Sequence, residues 1–416
     1  MERSETYHHR RLDCGIDFAA LEMPGRHTVA LNVRVAAGMV DEDESRLGLG
    51  GIVEQTITKG TATKSARDVS DAFDAIGAQF TGGVGRQSTV FRLGCLPEHL
   101  DTACALVAEV LQTPSFPQDS FEVAIQLAQQ ELTAMEDDPQ ELASRLIARN
   151  AYGSRLGRHE LGSKETLAAI TRDDVVNYWK RYYGAARMQV CVGGAIDVDG
   201  VAQSIDRLFQ GFGDGASGAF ETIPVEFSPG VRHQDKALEQ EHILMCWPGV
   251  SATSPEHSVE RVTLGILSGG MSSRLFTEVR EKQGLVYWVG AWNEHPRGAG
   301  MMFAGASTTP ARCDQTARTL LREIDRLAED ITQEELDRAK IGITAKMQTH
   351  GDITRARVGE LSGDIYHHGR PIPIEERRAT IEAVRMDDVR RYLETHPRDK
   401  LCVQTLGPRP LEDFRG

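Results

Sequence analysis

The alternation of hydrophobic and polar positions predicts the same pair of elements in each half of the chain. Residues 27–38, HTVALNVRVAAG, alternate as a half-buried strand does, and residues 45–60 then place apolar side chains at helical spacing. In the second half, residues 238–249 have a strand pattern and residues 258–270 have a helical pattern. The order of a strand followed by a helix therefore occurs twice.

The ends of the two halves also match each other. Residues 170–175, ITRDDV, begin an amphipathic helix that leads to a predicted strand at 188–194. Residues 384–389, VRMDDV, begin a similar helix that leads to a predicted strand at 400–407. The two Asp-Asp pairs lie 214 residues apart. This offset predicts an internal duplication that, with only two copies, gives paired homologous domains and not a solenoid.

A segment rich in Gly, Ser and Pro separates the two halves and predicts the domain boundaries. We interpret residues 213–229 as a linker, residues 1–212 as the N-terminal domain and residues 230–416 as the C-terminal domain. Long helical patterns, at 117–137 and 316–330, lie among the predicted strands. The fold class is therefore α+β, in which each domain is a mixed or antiparallel sheet that helices cover on one face.

The charge balance limits the classes of partner, and the cysteine spacing limits the kinds of covalent and metal site. The chain has 61 acidic and 47 basic residues and a net charge of -14, which argues against nucleic acids and anionic membranes as partners. We find no membrane-spanning run and no signal-peptide core, so the predicted location is cytoplasmic. The seven cysteines form no CxxC pair, which predicts neither a disulfide framework nor a thiolate metal site. A single catalytic cysteine is left as an alternative.

The first predicted helix carries the strongest functional signal. Residues 48–61, GLGGIVEQTITKGT, resemble the active-site helix of the insulinase (pitrilysin) family of zinc peptidases, whose inverted zinc motif is H-x-x-E-H. The resemblance extends to Glu131, at the position of the family's third zinc ligand, and to the block at 267–287 in the second half. It implies two related α/β domains. The short chain resembles the bacterial and mitochondrial-processing-peptidase branch, whose members usually work as dimers.

The zinc motif itself is degenerate. The family's chemistry needs two imidazoles four positions apart on one helical face. Here those positions are Gly51, which has no donor atom, and Gln55, whose carboxamide is a poor zinc ligand. Glu54, at the position of the general base, and Glu131 are left, and two carboxylates alone do not form a zinc site. We therefore predict no metal and no cofactor in this chain.

A further departure from the family lies at Thr81-Gly82, where active relatives tend to have Asn-Ala on the edge strand that holds the substrate backbone.

The two retained acids, Glu54 and Glu131, also have structural alternatives. Glu54 can be a partly exposed helix carboxylate, and Glu131 can be a solvated member of an acidic helix end. Their joint presence indicates descent from a zinc site.

The second half supplies a further pair of candidate residues. In active relatives, an arginine and a tyrosine seven residues apart contact the substrate at the scissile bond. Arg280 and Tyr287 have this spacing, within an Arg-Glu-Lys-x-Gly-Leu-x-Tyr context. The resemblance implies that the Tyr287 hydroxyl donates a hydrogen bond to the developing oxyanion and that Arg280 holds substrate carbonyls. The alternative is a surface charge beside a core aromatic.

The leading hypothesis is a non-catalytic subunit of a heterodimeric zinc peptidase. A homologous partner with an intact H-x-x-E-H motif would bring the zinc and the general base, while this chain would supply Arg280 and Tyr287 in trans. Peptides or unfolded polypeptides would be the substrates. Two alternatives stay open, namely a structural or peptide-binding scaffold with no role in proteolysis, and an autonomous metallopeptidase with rebuilt ligands.

Overall fold

The computed structural model, which describes residues 5–398 and 400–412, contains two β-sheets of related topology. The first sheet has the order β1-β2-β6-β3-β5-β4, in which β2 and β6 are parallel and the other neighbours are antiparallel. Its strands are β1 (Thr6–Arg11), β2 (Asp17–Glu22), β3 (Val29–Val35), β4 (Gln79–Thr81), β5 (Thr89–Cys95) and β6 (Met188–Gly194).

The second sheet repeats this order without the first strand. It runs β7-β11-β8-β10-β9, and again one pair, β7 with β11, is parallel while the others are antiparallel. Its strands are β7 (Gly230–Asp235), β8 (Glu241–Gly249), β9 (Val286–Glu294), β10 (Gly300–Thr308) and β11 (Cys402–Gly407). The predicted fold class of two mixed sheets covered by helices is confirmed.

Helices follow the strands in both halves, and the amphipathic patterns of the sequence place most of them. They are α1 (Leu49–Ile57), α2 (Ala66–Ala75), α3 (Leu100–Gln112), α4 (Gln118–Glu136), α5 (Pro139–Leu156), α6 (Lys164–Ala169), α7 (Arg172–Tyr182), α8 (Val198–Phe209), α9 (His257–Ser268), α10 (Cys313–Asp330), α11 (Gln333–Gly351), α12 (Thr354–His368), α13 (Ile374–Ala383) and α14 (Met386–Thr395). A π-helical segment occupies Phe276–Lys282. Within the described ranges, no helix is both long and apolar enough to cross a membrane.

The repeated aspartate of the two halves caps a helix in each. Asp174 accepts a hydrogen bond from the backbone N–H of Thr171 at 2.8 Å, and the Thr171 hydroxyl accepts one from the backbone N–H of Asp174 at 3.2 Å. Asp388 accepts an equivalent bond from the backbone N–H of Arg385 at 3.0 Å. These contacts satisfy donors that a helix N-terminus leaves unpaired. The sequence repeat therefore marks the starts of α7 and α14, each of which leads into a central strand.

The two compact units of the structure are not continuous segments of the chain. The first unit contains the residues up to 134 together with 158–222 and 350–373, and the second contains 135–157, 223–349 and the residues from 374 on. The first unit thus takes α12 from the second half, and the second unit takes α5 from the first half. The predicted domain boundaries, 1–212 and 230–416 with a linker at 213–229, stay a prediction.

Helix α12 covers a face of the first sheet. Its apolar residues Val358, Leu361 and Ile365 are buried against residues of β2 and β6, among them Ala19 and Cys191. All seven residues of β6 are buried, and since side chains alternate between the two faces of a strand, both faces of the sheet are covered at β6 and not one face as expected from the sequence. In the second unit, α5 packs against β8 and β11. The amphipathic pattern of a helix shows that it buries a face, but not which sheet receives it.

A buried arginine anchors α12, and its loss is expected to destabilise the protein. The side chain of Arg357 is 2% exposed and donates to Glu5 at 2.7 Å, to the Tyr7 hydroxyl at 2.5 Å and to Glu360 at 2.6 Å. We expect Arg357→Ala to lower the free energy of unfolding by about 3 kcal/mol, because it removes one side of a largely buried ion-pair network. Chemical denaturation measures this change.

The matched control lies two residues away on the same helix. Arg355 is exposed and bonds to Gln79 at 2.6 Å. Because the loss of an exposed polar contact costs little, Arg355→Ala is expected to change the free energy of unfolding by no more than about 0.5 kcal/mol. Equal effects of the two substitutions would contradict the role given to Arg357.

Candidate functional site

A buried carboxylate fixes the start of α1, the helix that carries the degenerate zinc motif. Glu42 accepts hydrogen bonds from the backbone N–H of Gly48 at 2.9 Å and of Gly50 at 2.7 Å. Gly48 has a φ of 98°, a left-handed conformation that favours glycine, and it is the N-cap of the helix. Arg158 donates to the backbone carbonyl of Glu42 at 2.7 Å. An acid upstream of a Gly-x-Gly helix start is the sequence signal for this cap, and the sequence analysis missed it.

The protonation of Glu42 should make stability depend on pH. Burial raises the pKa of the Glu42 carboxyl to about 7 against an ordinary value of 4.5, although the bonds from Gly48 and Gly50 act in the opposite direction. The folded chain therefore binds more protons than the unfolded chain between these two pH values, so stability falls as the pH rises through this window. Across the whole of this pH window, the contribution of Glu42 to the free energy of unfolding falls by about 3 kcal/mol.

We expect Glu42→Gln, which keeps one of the two acceptor oxygens and cannot ionise, to make the free energy of unfolding less dependent on pH between about 4.5 and 7. Urea denaturation at several pH values measures the slope. Burial also raises the pKa of Glu241 to about 7, so part of the pH dependence persists in the variant. The control is Glu44→Gln, because Glu44 is 83% exposed. An unchanged slope in Glu42→Gln would contradict the expectation.

The first unit has a cavity of about 640 Å³ that brings most of the predicted site residues together. Glu54 and Gln55 of α1, Thr81 and Gly82 at the end of the edge strand β4, and Glu131 of α4 all line it. The structure thus brings Glu131 close to the degenerate motif and places Thr81 on an edge strand, while the functional roles of these residues stay predictions.

Gly51 differs from the other motif residues, because it does not line the cavity. A Cβ atom at Gly51 would meet only the backbone oxygen of Glu160, at 3.4 Å, which is an ordinary contact. The site therefore leaves room for a side chain at this position. The absence of an imidazole there is a property of the sequence and is not forced by crowding.

The Glu54 side chain packs against the edge strand. A Cβ atom at Gly82 would lie 2.2 Å from Oε1 of Glu54, so the lack of a side chain at Gly82 is what admits the carboxylate in this position. Burial, followed by the negative charge of Glu160, raises the pKa of the Glu54 carboxyl above its ordinary value. Glu54 is half-buried, so the alternative of a partly exposed helix carboxylate stays open, and Glu131 is exposed, as its solvated alternative expects.

The donor set of this cavity does not fit zinc. Gly51 offers no ligand atom, and Gln55 offers a carboxamide oxygen, Oε1, that is buried without a hydrogen-bond partner in the described residues. No group of three or more His, Cys, Asp or Glu residues within residues 5–398 and 400–412 is arranged to hold a metal ion. The rebuilt-ligand alternative therefore has no support in this geometry, and the zinc-free state stays a prediction.

An apolar surface that the sequence analysis missed lines the rest of the cavity. Val123 and Leu127, one turn apart on α4, are 52% and 46% exposed. Phe80 and Phe91 form another wall, with stacked rings whose centroids are 5.8 Å apart. The spacing of Val123, Leu127 and Glu131 at four-residue intervals on one helical face was the available signal. The cavity can accept apolar side chains.

Arg280 and Tyr287 lie side by side in the second unit. The guanidinium carbon of Arg280 is 5.2 Å from the ring centroid of Tyr287 and 4.9 Å from that of Phe276, a cation–π contact with each ring. Tyr287 is 80% exposed, so it is not the core aromatic of the structural alternative. The π-helical segment carries Arg280, and Tyr287 follows Gly284, whose φ is 57°. π-helical turns are frequent at functional sites.

Part of the 267–287 block has a structural role. Arg274 is largely buried and forms a two-point ion pair with Glu335, at 2.7 and 2.9 Å, and a third contact with Asp330 at 2.6 Å. The Ser273 hydroxyl donates to the backbone carbonyl of Gly270 at 2.5 Å. Ser273 and Arg274 of the 267–287 block therefore fix the loop after α9, and Arg274 joins this loop to α11.

The fold and the site together define a peptidase-like protein with two related units and a degenerate metal motif. Two family models match the chain: "Insulinase (Peptidase family M16)" over residues 18–164 and "Peptidase M16 inactive domain" over residues 169–343. The chain belongs to the insulinase (M16) peptidase family, as the resemblance predicted.

Full-length similarity to known proteins agrees with this assignment. The chain is 27% identical over 412 residues to an uncharacterized zinc protease of Rickettsia bellii, covering 99% of this chain and 100% of the relative. It is 26% identical over 385 residues to the uncharacterized zinc protease YmxG of Bacillus subtilis, covering 91% and 93%.

Two solved structures have the same fold. A peptidase M16 inactive domain from Pseudomonas fluorescens has a TM-score of 0.88 at 22% identity, covering 98% of this chain and 100% of that one. A protease from Helicobacter pylori has a TM-score of 0.87 at 16% identity, covering 97% and 100%. The likeness extends over nearly the whole of each chain.

Proposed function

We propose that this chain is the non-catalytic, zinc-free subunit of a heterodimeric insulinase-family metallopeptidase. One contrast carries the proposal. The first unit has lost both imidazole positions of its zinc motif, at Gly51 and Gln55, while the second unit presents Arg280 and Tyr287 together at its surface. We propose that a homologous partner with an intact H-x-x-E-H motif brings the metal and the general base.

The exposed pair has the chemistry that the partner's site would need. The Tyr287 hydroxyl can donate a hydrogen bond to the oxyanion that develops on a scissile carbonyl, and a preorganised donor of this kind lowers the barrier. The Arg280 guanidinium offers several fixed N–H donors to neighbouring carbonyl oxygens of an extended peptide. The contacts of Arg280 with the rings of Phe276 and Tyr287 restrict its orientation. Substrates would be peptides or unfolded polypeptides.

We further propose a cytoplasmic location for the complex. All seven cysteines are free thiols, six of them buried. Unpaired cysteines are typical of proteins in a reducing compartment.

The test is reconstitution. The purified chain, a candidate partner with an intact motif, and their mixture are assayed for peptide cleavage, with size-exclusion chromatography to follow association. We expect cleavage from the mixture that far exceeds the cleavage by either chain alone, and its loss on chelation. Chelator-sensitive proteolysis by this chain alone would overturn the proposal.

A second candidate function is a peptide-binding scaffold with no part in proteolysis. The exposed apolar residues Val123 and Leu127 beside the edge strand β4 favour it, because they could hold a peptide without cleaving it. It would be preferred if the chain forms only homodimers and binds peptides in a way that depends on Val123 and Leu127 but not on Arg280 or Tyr287.

A further inference from the structure

The second unit has a cavity of about 450 Å³, and residues 268–273 of the 267–287 block form part of its lining. Its walls are α9, the edge strand β9 and α11, and all of its lining residues belong to this one unit. The volume is within the range of about 300–1,000 Å³ that small-ligand pockets occupy.

This cavity lies at the place that corresponds to the degenerate zinc cavity of the first unit. Residues 51–59, at the end of α1 and just beyond it, and residues 261–269, at the end of α9 and just beyond it, have the same sequence of buried, half-buried and exposed positions. At an offset of 215, the burial of residues 118–134 in α4 matches that of residues 333–349 in α11 except at two positions, and this offset pairs Val123 with Arg338 and Glu131 with Lys346. In both units, these helices and an edge strand enclose the cavity.

The corresponding positions of the second unit carry more positive charge. Gly51 of α1 corresponds to Arg261 of α9, and Glu54 corresponds to Leu264. With Arg338 and Lys346, the second cavity therefore has three cationic residues in its lining. Its one acidic residue is Glu335, whose charge is balanced by the two-point ion pair with Arg274. A cationic cavity on a chain of net charge -14 favours an anionic ligand.

The rest of the lining favours a peptide over a small inorganic anion. Leu264, Ile343 and Trp292 supply apolar walls, and the Trp292 ring is held by stacking on Phe303 at 5.4 Å. Within the described residues, β9 pairs only with β10, so its outer edge can receive an extended backbone. A peptide that ends in this cavity would satisfy both the apolar walls and the cations.

We propose that this cavity binds the C-terminal carboxylate and the last side chains of an extended peptide. Lys346, whose ammonium lies 3.3 Å from the backbone oxygen of Gly269, and Arg338, in a surface pair with Glu334, supply the charge that recognises the carboxylate. The assignment rests on the peptide-binding part of the proposed function, but it needs neither the partner chain nor hydrolysis.

Calorimetric titration of the isolated full chain tests this proposal. The probes are an uncharged hexapeptide with a free C-terminal carboxylate, the same peptide as its C-terminal amide, and inorganic phosphate. We expect the acid peptide to bind about tenfold more tightly than the amide, with an affinity that falls as salt rises. Equal binding of acid and amide would overturn the proposal. Phosphate that binds as tightly as the acid peptide would show a simple anion site and would overturn the peptide assignment.

A pair of charge-matched double variants locates the site. Arg338→Gln with Lys346→Gln should weaken binding of the acid peptide about tenfold and bring acid and amide to within about twofold. Arg378→Gln with Arg390→Gln removes the same charge from exposed helix positions of the same unit and should change neither affinity. Equal losses in the two double variants would refute the site. Because only binding to the single chain is measured, a failure here leaves the roles proposed for Arg280 and Tyr287 untouched.

Discussion

Replacing Gly51 and Gln55 together by histidine is expected to give this chain a stoichiometric zinc site. The two positions are four residues apart on α1, so imidazoles there would lie on one helical face. Glu131 lines the same cavity as Gln55 and would be the third protein ligand. Two histidines and one carboxylate form a common catalytic zinc site. We expect a binding free energy on the order of 10 kcal/mol, a dissociation constant of about 10⁻⁷ M.

The structure indicates that the helix would tolerate these changes. A Cβ atom at Gly51 meets nothing closer than 3.4 Å, and the replacement of a glycine inside a helix removes a cost of about 0.5–1 kcal/mol. Zinc per chain is measured by elemental analysis after dialysis, and affinity by competition with a chelating dye. Gly51→Ala with Gln55→Ala is the matched control and should bind no zinc.

The same experiment tests whether Glu131 is the third zinc ligand. Adding Glu131→Gln to the double histidine variant should weaken zinc binding at least about tenfold, because a carboxylate ligand is replaced by a poorer one. No zinc in the double variant would mean that Glu131 and α1 are not arranged as a zinc site, and our interpretation of the cavity as a degenerate one would be wrong.

Replacing Tyr287 by phenylalanine is expected to lower kcat of the reconstituted heterodimer by about 10²–10³-fold, the effect of losing one oxyanion donor. This substitution is informative because the ring that stacks on Arg280 is kept and only the hydroxyl is lost. Tyr287 is exposed, so the folded chain should be as stable as before. Steady-state kinetics with one peptide substrate measures the effect.

The pattern of the kinetic constants separates a catalytic role from a structural one. Tyr287→Phe should lower kcat with little change in KM, because its hydrogen bond is made only as the oxyanion develops. Arg280→Ala should raise KM as well, since Arg280 would hold ground-state carbonyls. Glu281→Gln, at an exposed neighbouring position, should change neither constant. Unchanged activity in Tyr287→Phe and Arg280→Ala would rule out the proposed contribution in trans.

Periodicity alone predicted the elements that hold the degenerate motif. The alternation at 27–38 contains β3, the helical spacing at 45–60 contains α1, and the long amphipathic pattern at 117–137 contains α4. Each of these elements buries one face, so its apolar residues recur at a regular spacing that the local sequence shows directly. The family resemblance then predicted that Glu131 belongs to the same site as the motif, and periodicity carries no information of this kind.

Other features depend on contacts that the local sequence does not encode. The segment FTEVREK at 276–282 has ordinary helical composition, and nothing in it indicates the π-helical turn that the structure shows. The exposure of Tyr287 depends on the position of β9 at the sheet edge. The second cavity escaped notice because its cations are spread over α9 and α11, whose proximity only the fold reveals.

The exchange of helices between the halves constrains how such a chain can change over evolution. A truncation at the linker would strip the first sheet of α12 and the second of α5, leaving apolar strand surface bare in both fragments. Duplicated genes often diverge by shedding parts, but here neither copy can be discarded. The zinc-ligand residues of one half could therefore be replaced with little loss of stability, whereas both halves of the chain had to be kept.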